Sequence, residues 1–180
     1  MHYLDFEKDL EQLDKNLNEL KNPFNEEGGL SSVNNSDIND LEVKINNKID
    51  EIYSNLDGWK KTKIARHENR PKAQHYINAI FDNFQHVAGD RNFGEDEAAI
   101  TGFAKINGHS VLVIGQEKGN DTQSRLKRNF GMMRPEGYRK CIRLMKLAEN
   151  YNVPIITFID TPGAYPGKGA EERGQAEAIA

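Results

Sequence analysis

The chain has few of the residues that mark specialised classes of protein. Its 180 residues contain one cysteine, one tryptophan, six prolines and no long apolar run. One cysteine cannot form an internal disulfide, and a four-cysteine zinc site within this chain is excluded. No membrane span is predicted, and the first residues lack the basic-then-apolar order of a secretory signal. These absences favour a globular protein of the cytoplasm.

The chain also has little net charge, but its acidic and basic residues are unevenly distributed. The net charge is −4, yet residues 1–56 carry 13 acidic and 5 basic side chains, and residues 121–146 carry eight basic and two acidic ones. A local cationic field attracts an anionic ligand, although a solvated helix face explains the same pattern. The basic block has few aromatic side chains and no nucleic-acid-binding motif, so we expect no nucleic-acid partner.

Apolar spacing predicts most of the secondary structure. Helices are predicted over residues 4–20, 37–55, 59–66, 73–85, 135–151 and 170–180, with a loop or linker over 22–36. Ala99–Ile106 and Ser110–Ile114 flank Asn107-Gly108, the strongest two-residue signal for a β-hairpin. Cys141 lies on an apolar helix face, where a packed core thiol is expected rather than a nucleophile. This succession of strands and helices indicates an α/β fold.

The stretch from Val153 to Gly167 is the most informative part of the chain. The apolar, β-branched run Ile155–Ile159 is typical of a strand buried on both faces, as in parallel sheets. A loop rich in glycine and proline follows Asp160, and in open α/β sheets ligands bind beyond the carboxyl ends of strands. Such a loop can present bare N–H groups to an oxyanion, and a tight strand-to-helix connection is the plainer explanation.

Four strings carry a resemblance to a known family. They are Phe-Ile-Asp-Thr-Pro-Gly-Ala-Tyr-Pro-Gly (158–167), Ala-Arg-His-Glu-Asn-Arg-Pro (65–71), Arg-Asn-Phe-Gly (128–131) and Pro-Glu-Gly-Tyr-Arg-Lys (135–140). The chain resembles the carboxyltransferase components of biotin-dependent acyl-CoA carboxylases, most closely the alpha subunits of the bacterial acetyl-CoA enzymes. The likeness is clear from about Leu56 onward and thinner before it.

The resemblance implies a fold and a division of the chain. It implies the crotonase-like (ClpP/crotonase) fold of ββα units over residues 57–180, with residues 1–56 as an N-terminal helical extension used for assembly. Chains of this family continue past the position of Ala180 into a second glycine-rich segment. We therefore expect this sequence to be the N-terminal portion of the subunit, with its domain incomplete and little activity of its own.

The resemblance also implies a reaction. Carboxybiotin on a carrier protein gives its carboxyl group to acetyl-CoA, which yields malonyl-CoA in the first committed step of fatty acid synthesis. The freed biotin nitrogen takes the substrate proton, so no side-chain base is needed. The expected partners are a carboxyltransferase beta subunit in an α₂β₂ assembly, the biotin carboxyl carrier protein and biotin carboxylase. No metal is expected in this chain, because the histidines lack a zinc-site spacing and the zinc ribbon belongs to the beta subunit.

Site residues carry over at the matching positions. Gly163 and Ala164 are the expected amide donors to an oxyanion, and the match places biotin rather than acyl-CoA at this loop. The expected substrate contacts are Tyr165, Pro166 and Gly167 in the wall of the loop and Lys118, Lys127, Arg128 and Arg134 toward the coenzyme A phosphates.

Two other functions stay open at this stage. A crotonase-type acyl-CoA hydratase or isomerase would use the same oxyanion geometry together with carboxylates for acid–base chemistry. A non-catalytic assembly fragment would bind a partner without turnover. Asp160 is expected to brace the loop rather than to act as a base.

Overall fold

The computed structural model describes residues 3–22 and 35–180, so most of the predicted linker at 22–36 lies outside the described residues. The chain divides into two compact units, residues 1–70 and 71–180. In its described residues, 3–22 and 35–70, the first unit contains three helices, α1 (Lys8–Lys21), α2 (Asn35–Ser54) and α3 (Gly58–Ala65), after a short 3₁₀ turn at Asp5–Glu7. The predicted domain boundary at 56/57 stays a prediction.

Helices α1 and α2 are antiparallel and share an apolar seam. Leu10 and Ile45 are buried, and ion pairs join Lys21 to Glu42 (2.6 Å) and Lys48 to Asp9 (3.7 Å). These ion pairs are exposed, where such pairs contribute at most about 1 kcal/mol. We therefore expect the burial of Leu10 and Ile45 to contribute more to the stability of this unit than the ion pairs do. No helix of the described ranges is long and apolar enough to cross a membrane.

The second unit is a mixed α/β structure around a four-stranded sheet. Its strands are β1 (Asp82–His86), β2 (Ala99–Ile106), β3 (His109–Gln116) and β4 (Ile155–Phe158), in that spatial order. The pairs β1–β2 and β2–β3 are antiparallel, whereas β3 and β4 are parallel. The helices are α4 (Ala73–Ile80), α5 (Thr122–Lys127), α6 (Pro135–Asn150), α7 (Lys168–Glu172) and α8 (Gln175–Ile179).

The predicted β2–β3 hairpin is confirmed in its register. Ala99 pairs with Gln116 and Ile106 with His109, without a bulge between them. Asn107 and Gly108 both have positive φ (49° and 81°), as a type I′ turn requires. Asparagine and glycine adopt this conformation at lower cost than other residues.

The sheet has a helix against each face, and the two faces have separate cores. On one side Leu112 and Ile114 of β3 pack with Cys141, Leu144 and Ala148 of α6. On the other side Val111 and Val113 pack with Ile77 of α4. Alternate residues of one strand therefore serve opposite cores. Cys141 is buried as predicted, and burial raises the pKa of its thiol to about 11, which makes it a poor nucleophile at neutral pH.

Two predicted helices differ from the structure, and a third helix was not predicted. The helix predicted to reach Gln85 ends at Ile80 and gives way to β1, because Phe84 and Gln85 lie directly against Gly102 of β2, where a Cβ would overlap them. The terminal helix is broken at Gly174 (φ 76°) into α7 and α8. Helix α5 was not predicted; Asp121 caps it by accepting from the Ser124 N–H at 2.9 Å.

The prediction that the run ending at Ile159 is buried on both faces was wrong. Strand β4 lies at the edge of the described sheet, and none of its residues is fully buried. Ile155 is 41% exposed and Ile159, just beyond the strand, is 81% exposed. An apolar run shows only that a strand can be buried, and its position in the sheet decides whether it is.

Candidate functional site

The candidate site lies where the two parallel strands end. Lys118 follows β3 and Asp160 follows β4, and the register of the strands brings these residues together in an ion pair. The Asp160 N–H also donates to Gln116 Oε1 at 3.0 Å. Asp160 thus braces the loop as expected. Its carboxylate is engaged by the lysine, which leaves it poorly placed for acid–base chemistry.

The glycine loop, residues 160–167, leaves β4 through a turn that glycine makes possible. Gly163 has φ +137°, and a Cβ at this position would have no atom within 4 Å. Glycine is therefore required at position 163 by its backbone conformation and not by crowding, since the space beside it is open. Of the two proposed amide donors, the Gly163 N–H donates to Thr161 Oγ1 at 3.0 Å. The Ala164 N–H has no hydrogen-bond partner among residues 3–22 and 35–180.

The second half of the loop is attached to the segment before α6. The Tyr165 N–H donates to the Met133 carbonyl at 3.0 Å, and Ala164 forms a parallel bridge with Met133. The guanidinium carbon of Arg134 lies 4.8 Å from the centroid of the Tyr165 ring. The ring also covers Gly167 so closely that any side chain there would displace it. Tyr165 is thus fixed as a wall of the loop, while Pro166 is exposed.

A strained turn lies beside the glycine loop. Asn129, Phe130 and Gly131 all have positive φ (47°, 56° and 86°), at a cost on the order of 1–3 kcal/mol for each non-glycine residue. A Cβ on Gly131 would lie 2.6 Å from Lys118 Cγ and 3.5 Å from Pro162 Cδ. Glycine is therefore needed at 131 both for its conformation and for the approach of the lysine stem. Phe130 is left half exposed.

The four predicted phosphate contacts do not share one environment. Lys118 pairs with Asp160, and Lys127 pairs with Glu97 at 2.7 Å. Arg134 donates to Asn129 Oδ1 at 2.9 Å and covers Tyr165. Arg128 instead lines a cleft of about 400 Å³ together with the apolar residues Phe84, Ala99 and Ile100 and the carboxylates of Glu95 and Glu97.

Arg128 is the most available of these cations. Its buried Nε has no hydrogen-bond partner, and its guanidinium makes no ion pair with any described residue. The two carboxylates of the cleft, Glu95 and Glu97, are already paired with Lys140 and Lys127, so they compete less for Arg128. An unpaired guanidinium retains its full capacity for a phosphate oxygen.

A network of buried charges supports the first turn of α6, and the sequence analysis missed it. Lys140 is fully buried, pairs with Glu95 and donates to the carbonyls of Asp96 (2.9 Å) and Ala99 (2.6 Å). Asp96 accepts from the N–H groups of Arg134 (2.7 Å) and Ala98 (3.0 Å). Burial raises the pKa of Asp96 in spite of these hydrogen bonds. The only sequence signal was the acidic density of residues 90–97.

A second part of the network fixes the chain beyond the loop. Glu136 accepts from Arg173 Nε (2.5 Å) and Arg139 Nη2 (3.2 Å), and Arg139 also donates to Asp90 Oδ2 (2.9 Å). Burial alone would raise the pKa of Asp90, but the N–H groups of residues 92–94 and Arg139 outweigh it and hold this pKa at about 2. Arg173 is thereby anchored to α6.

Metal binding has no support in the described residues. Across residues 3–22 and 35–180 no three His, Cys, Asp or Glu side chains are grouped so that they could hold a metal ion. The chemical resources of the site are main-chain N–H groups, an aromatic wall and cations.

Comparison with known proteins gives a consistent family. The family described as "Acetyl co-enzyme A carboxylase carboxyltransferase-like" matches residues 3–180. A protein of Pelagibacter ubique named acetyl-coenzyme A carboxylase carboxyl transferase subunit alpha is 59% identical over 99% of this chain and 48% of its own length. Proteins of the same name from Zymomonas mobilis and Agrobacterium fabrum are 55% and 52% identical, each over 56% of its own length.

The chain spans about half the length of the curated relatives it matches. Among solved structures, a single-chain, multi-domain long-chain acyl-CoA carboxylase is similar with a TM-score of 0.50 and 22% identity, over 65% of this chain and 12% of that one. At that identity the likeness concerns the fold alone.

Proposed function

Because the chain belongs to the acetyl co-enzyme A carboxylase carboxyltransferase-like family, we propose that it is part of a carboxyltransferase alpha subunit. The complete subunit transfers the carboxyl group of carboxybiotin to acetyl-CoA in the cytoplasm and so forms malonyl-CoA. The fold that this activity would use is the crotonase-like one. The sheet flanked by helices and the fold-level likeness to an acyl-CoA carboxylase support that assignment.

The observation that carries the proposal is the unpaired N–H of Ala164, which follows Gly163, a glycine whose Cβ position has open space around it. It lies in a loop at the carboxyl end of a parallel strand, where α/β sheets bind their ligands. A preorganised main-chain donor stabilises an oxygen that gains negative charge, and one such donor contributes about 3–4 kcal/mol to a transition state. Biotin fits these residues because its ureido oxygen needs a donor, and the open side of Gly163 admits a flat ring.

Bound carboxybiotin supplies the carboxyl group that is transferred. The Ala164 N–H would donate to the ureido oxygen of biotin, which becomes negative as the carboxyl group leaves, and Tyr165 would limit access of water from one side. The Gly163 N–H joins as a second donor only if the Thr161 hydroxyl turns away, at the cost of one neutral hydrogen bond of about 1 kcal/mol. Ala164 is therefore the primary donor and Gly163 the residue whose conformation aims it.

Arg128 is the first choice for a coenzyme A phosphate, since its guanidinium is unpaired and lines the cleft. Lys118 and Arg134 hold the loop and contribute positive potential, and Lys127 would have to release Glu97 to contact a phosphate. The partners that we propose are the beta subunit in an α₂β₂ assembly, the biotin carboxyl carrier protein and biotin carboxylase. Residues 1–56 would act as a helical extension used in that assembly.

The test uses the complete enzyme, assembled from the full-length alpha subunit and the beta subunit, and measures decarboxylation of malonyl-CoA with free biotin. Gly163→Val forces a β-branched residue into φ +137°, so the backbone must move and the Ala164 N–H is misdirected. We expect kcat to fall by about 10²–10³-fold.

The matched control is Gly94→Val. Gly94 also has open space around its Cβ position, but its φ is an ordinary one. We expect the control to retain wild-type turnover. Unchanged biotin-dependent turnover in Gly163→Val would refute the role of the loop.

A further inference from the structure

Gln175 makes contacts that no helical pattern reveals. It is 4% exposed and is the first residue of α8, immediately after Gly174 (φ 76°). Its Nε2 donates to the Met133 carbonyl at 2.9 Å and to the Tyr165 carbonyl at 3.3 Å. One side-chain amide thus joins the glycine loop to the segment that leads into α6.

The orientation of this amide is fixed by its surroundings. Both neighbouring groups are carbonyl oxygens, which only accept, so the NH₂ end must face them. Oε1 then lies buried without a hydrogen-bond partner. Leaving a buried acceptor unpaired is unfavourable, and the arrangement is retained because the NH₂ group satisfies two main-chain oxygens at once.

The position of Gln175 is itself set by the two residues before it. Arg173 binds Glu136 on α6 through Nε at 2.5 Å, and its carbonyl accepts from Arg139 Nη1 at 2.9 Å. The left-handed Gly174 then turns the chain so that residue 175 points back toward the loop. Because Arg173 is anchored to α6, the side chain of Gln175 has a fixed position from which it can hold Tyr165.

We propose that Gln175 is a positioning residue that sets the direction of the Ala164 N–H by holding Tyr165 against Met133. The proposal rests on the biotin role of the glycine loop described above. Gln175 touches no substrate. It acts through the loop, because the Met133 carbonyl receives both the Tyr165 N–H and the Gln175 amide. Misplacement of a catalytic donor by about 1 Å can reduce a rate on the order of 10²-fold.

Two variants test the proposal in the complete enzyme by decarboxylation of malonyl-CoA with free biotin. Gln175→Met keeps the volume and removes both hydrogen bonds. We expect kcat/KM for biotin to fall at least about tenfold, whereas KM for malonyl-CoA stays within about twofold because the loop does not hold the thioester. The control is Val111→Ala, near the start of β3 in the core that faces α4. This change should reduce stability without moving the glycine loop.

The second variant, Gln175→Glu, gives a pH readout that a structural defect alone would not give. An ionised carboxylate cannot donate and repels the two carbonyls, whereas a protonated carboxyl regains one O–H donor. Burial raises the pKa of such a carboxyl, so the protonated fraction increases as pH falls from about 8.5 to about 6. We expect the ratio of variant to wild-type kcat/KM for biotin to rise over that interval. Glu177→Gln, on the exposed side of the same helix, should show no such trend.

The outcomes are distinct. Absence of biotin-dependent turnover in the unmodified enzyme defeats the proposed function, and this inference with it. Turnover in the unmodified enzyme with wild-type kinetics in Gln175→Met defeats the inference alone. Should Gln175→Met fail to fold, the pH profile of Gln175→Glu decides, and a ratio that does not change with pH counts against the positioning role.

Discussion

Strands β3 and β4 are neighbours in one sheet with similar apolar composition, yet they differ in what surrounds them. β3 has five consecutive buried residues, Val111–Gly115, between helices α4 and α6. β4 has none: Ile155 on the strand is 41% exposed, and Ile159 just beyond it is 81% exposed. The first strand carries the stability of the unit, and the second carries the loop on which the proposed chemistry depends. Composition alone does not separate these roles.

The largest contrast should appear when an apolar side chain is removed from each strand. Leu112→Ala leaves a cavity in a fully buried position, and we expect a loss of about 2–5 kcal/mol in the free energy of unfolding. Ile155→Ala removes a side chain that is already 41% exposed, and we expect a loss of less than about 1 kcal/mol. Urea unfolding of both variants measures the difference. Equal losses would show that β4 is covered in solution.

A second contrast concerns two glycines, Gly115 near the end of β3 and Gly163 in the loop that follows β4. A Cβ on Gly115 would lie 2.9 Å from the Cβ of Ala73, so Gly115→Ala is a packing clash, which costs about 1–3 kcal/mol. A double-mutant cycle with Ala73→Gly should recover part of that loss, because the two methyl groups occupy the same space.

Gly163→Ala should behave differently when its free energy of unfolding is measured in urea. Its cost is backbone strain on the order of 1 kcal/mol, and no neighbour lies within 4 Å whose removal could relieve it. A negligible coupling energy between residues 73 and 115 would mean that α4 does not press on β3 as described.

The smallest effect should come from the ion pair that joins the ends of the two strands. Both Lys118 and Asp160 are partly exposed, so Asp160→Asn should cost less than about 1 kcal/mol. The difference from wild type should shrink further at high salt, because mobile ions screen such pairs. Thermal unfolding at low and high ionic strength measures it. If Asp160→Asn instead lost several kcal/mol of unfolding free energy at both ionic strengths, the ion pair would be shielded from solvent.

The sequence predicted those elements whose determinants are local. The hairpin followed from Asn107-Gly108, and α6 from its helical period and its proline at the first position. The end of α4 was not predictable, since β1 exists only because Phe84 and Gln85 pack on Gly102, which lies far along the chain. The exposure of β4 depended on its place in the sheet, which no single segment encodes.

The candidate site was predictable to a similar extent. The glycine loop and its attachment to a strand end were visible in residues 158–167. The capture of the Gly163 N–H by Thr161 was not, because it depends on one side-chain torsion. Gln175 was missed because its partners are main-chain carbonyls, which leave no mark on the sequence.

The alternation of β3 between two cores has a consequence for changes in chain length. Because Val111 and Val113 face α4 while Leu112 and Ile114 face α6, a single-codon insertion or deletion after the Asn107-Gly108 turn exchanges the two sets. Every β3 residue beyond the change would then face the wrong helix. Substitutions in this strand disturb one contact each, whereas an altered codon count disturbs both halves of the interior together.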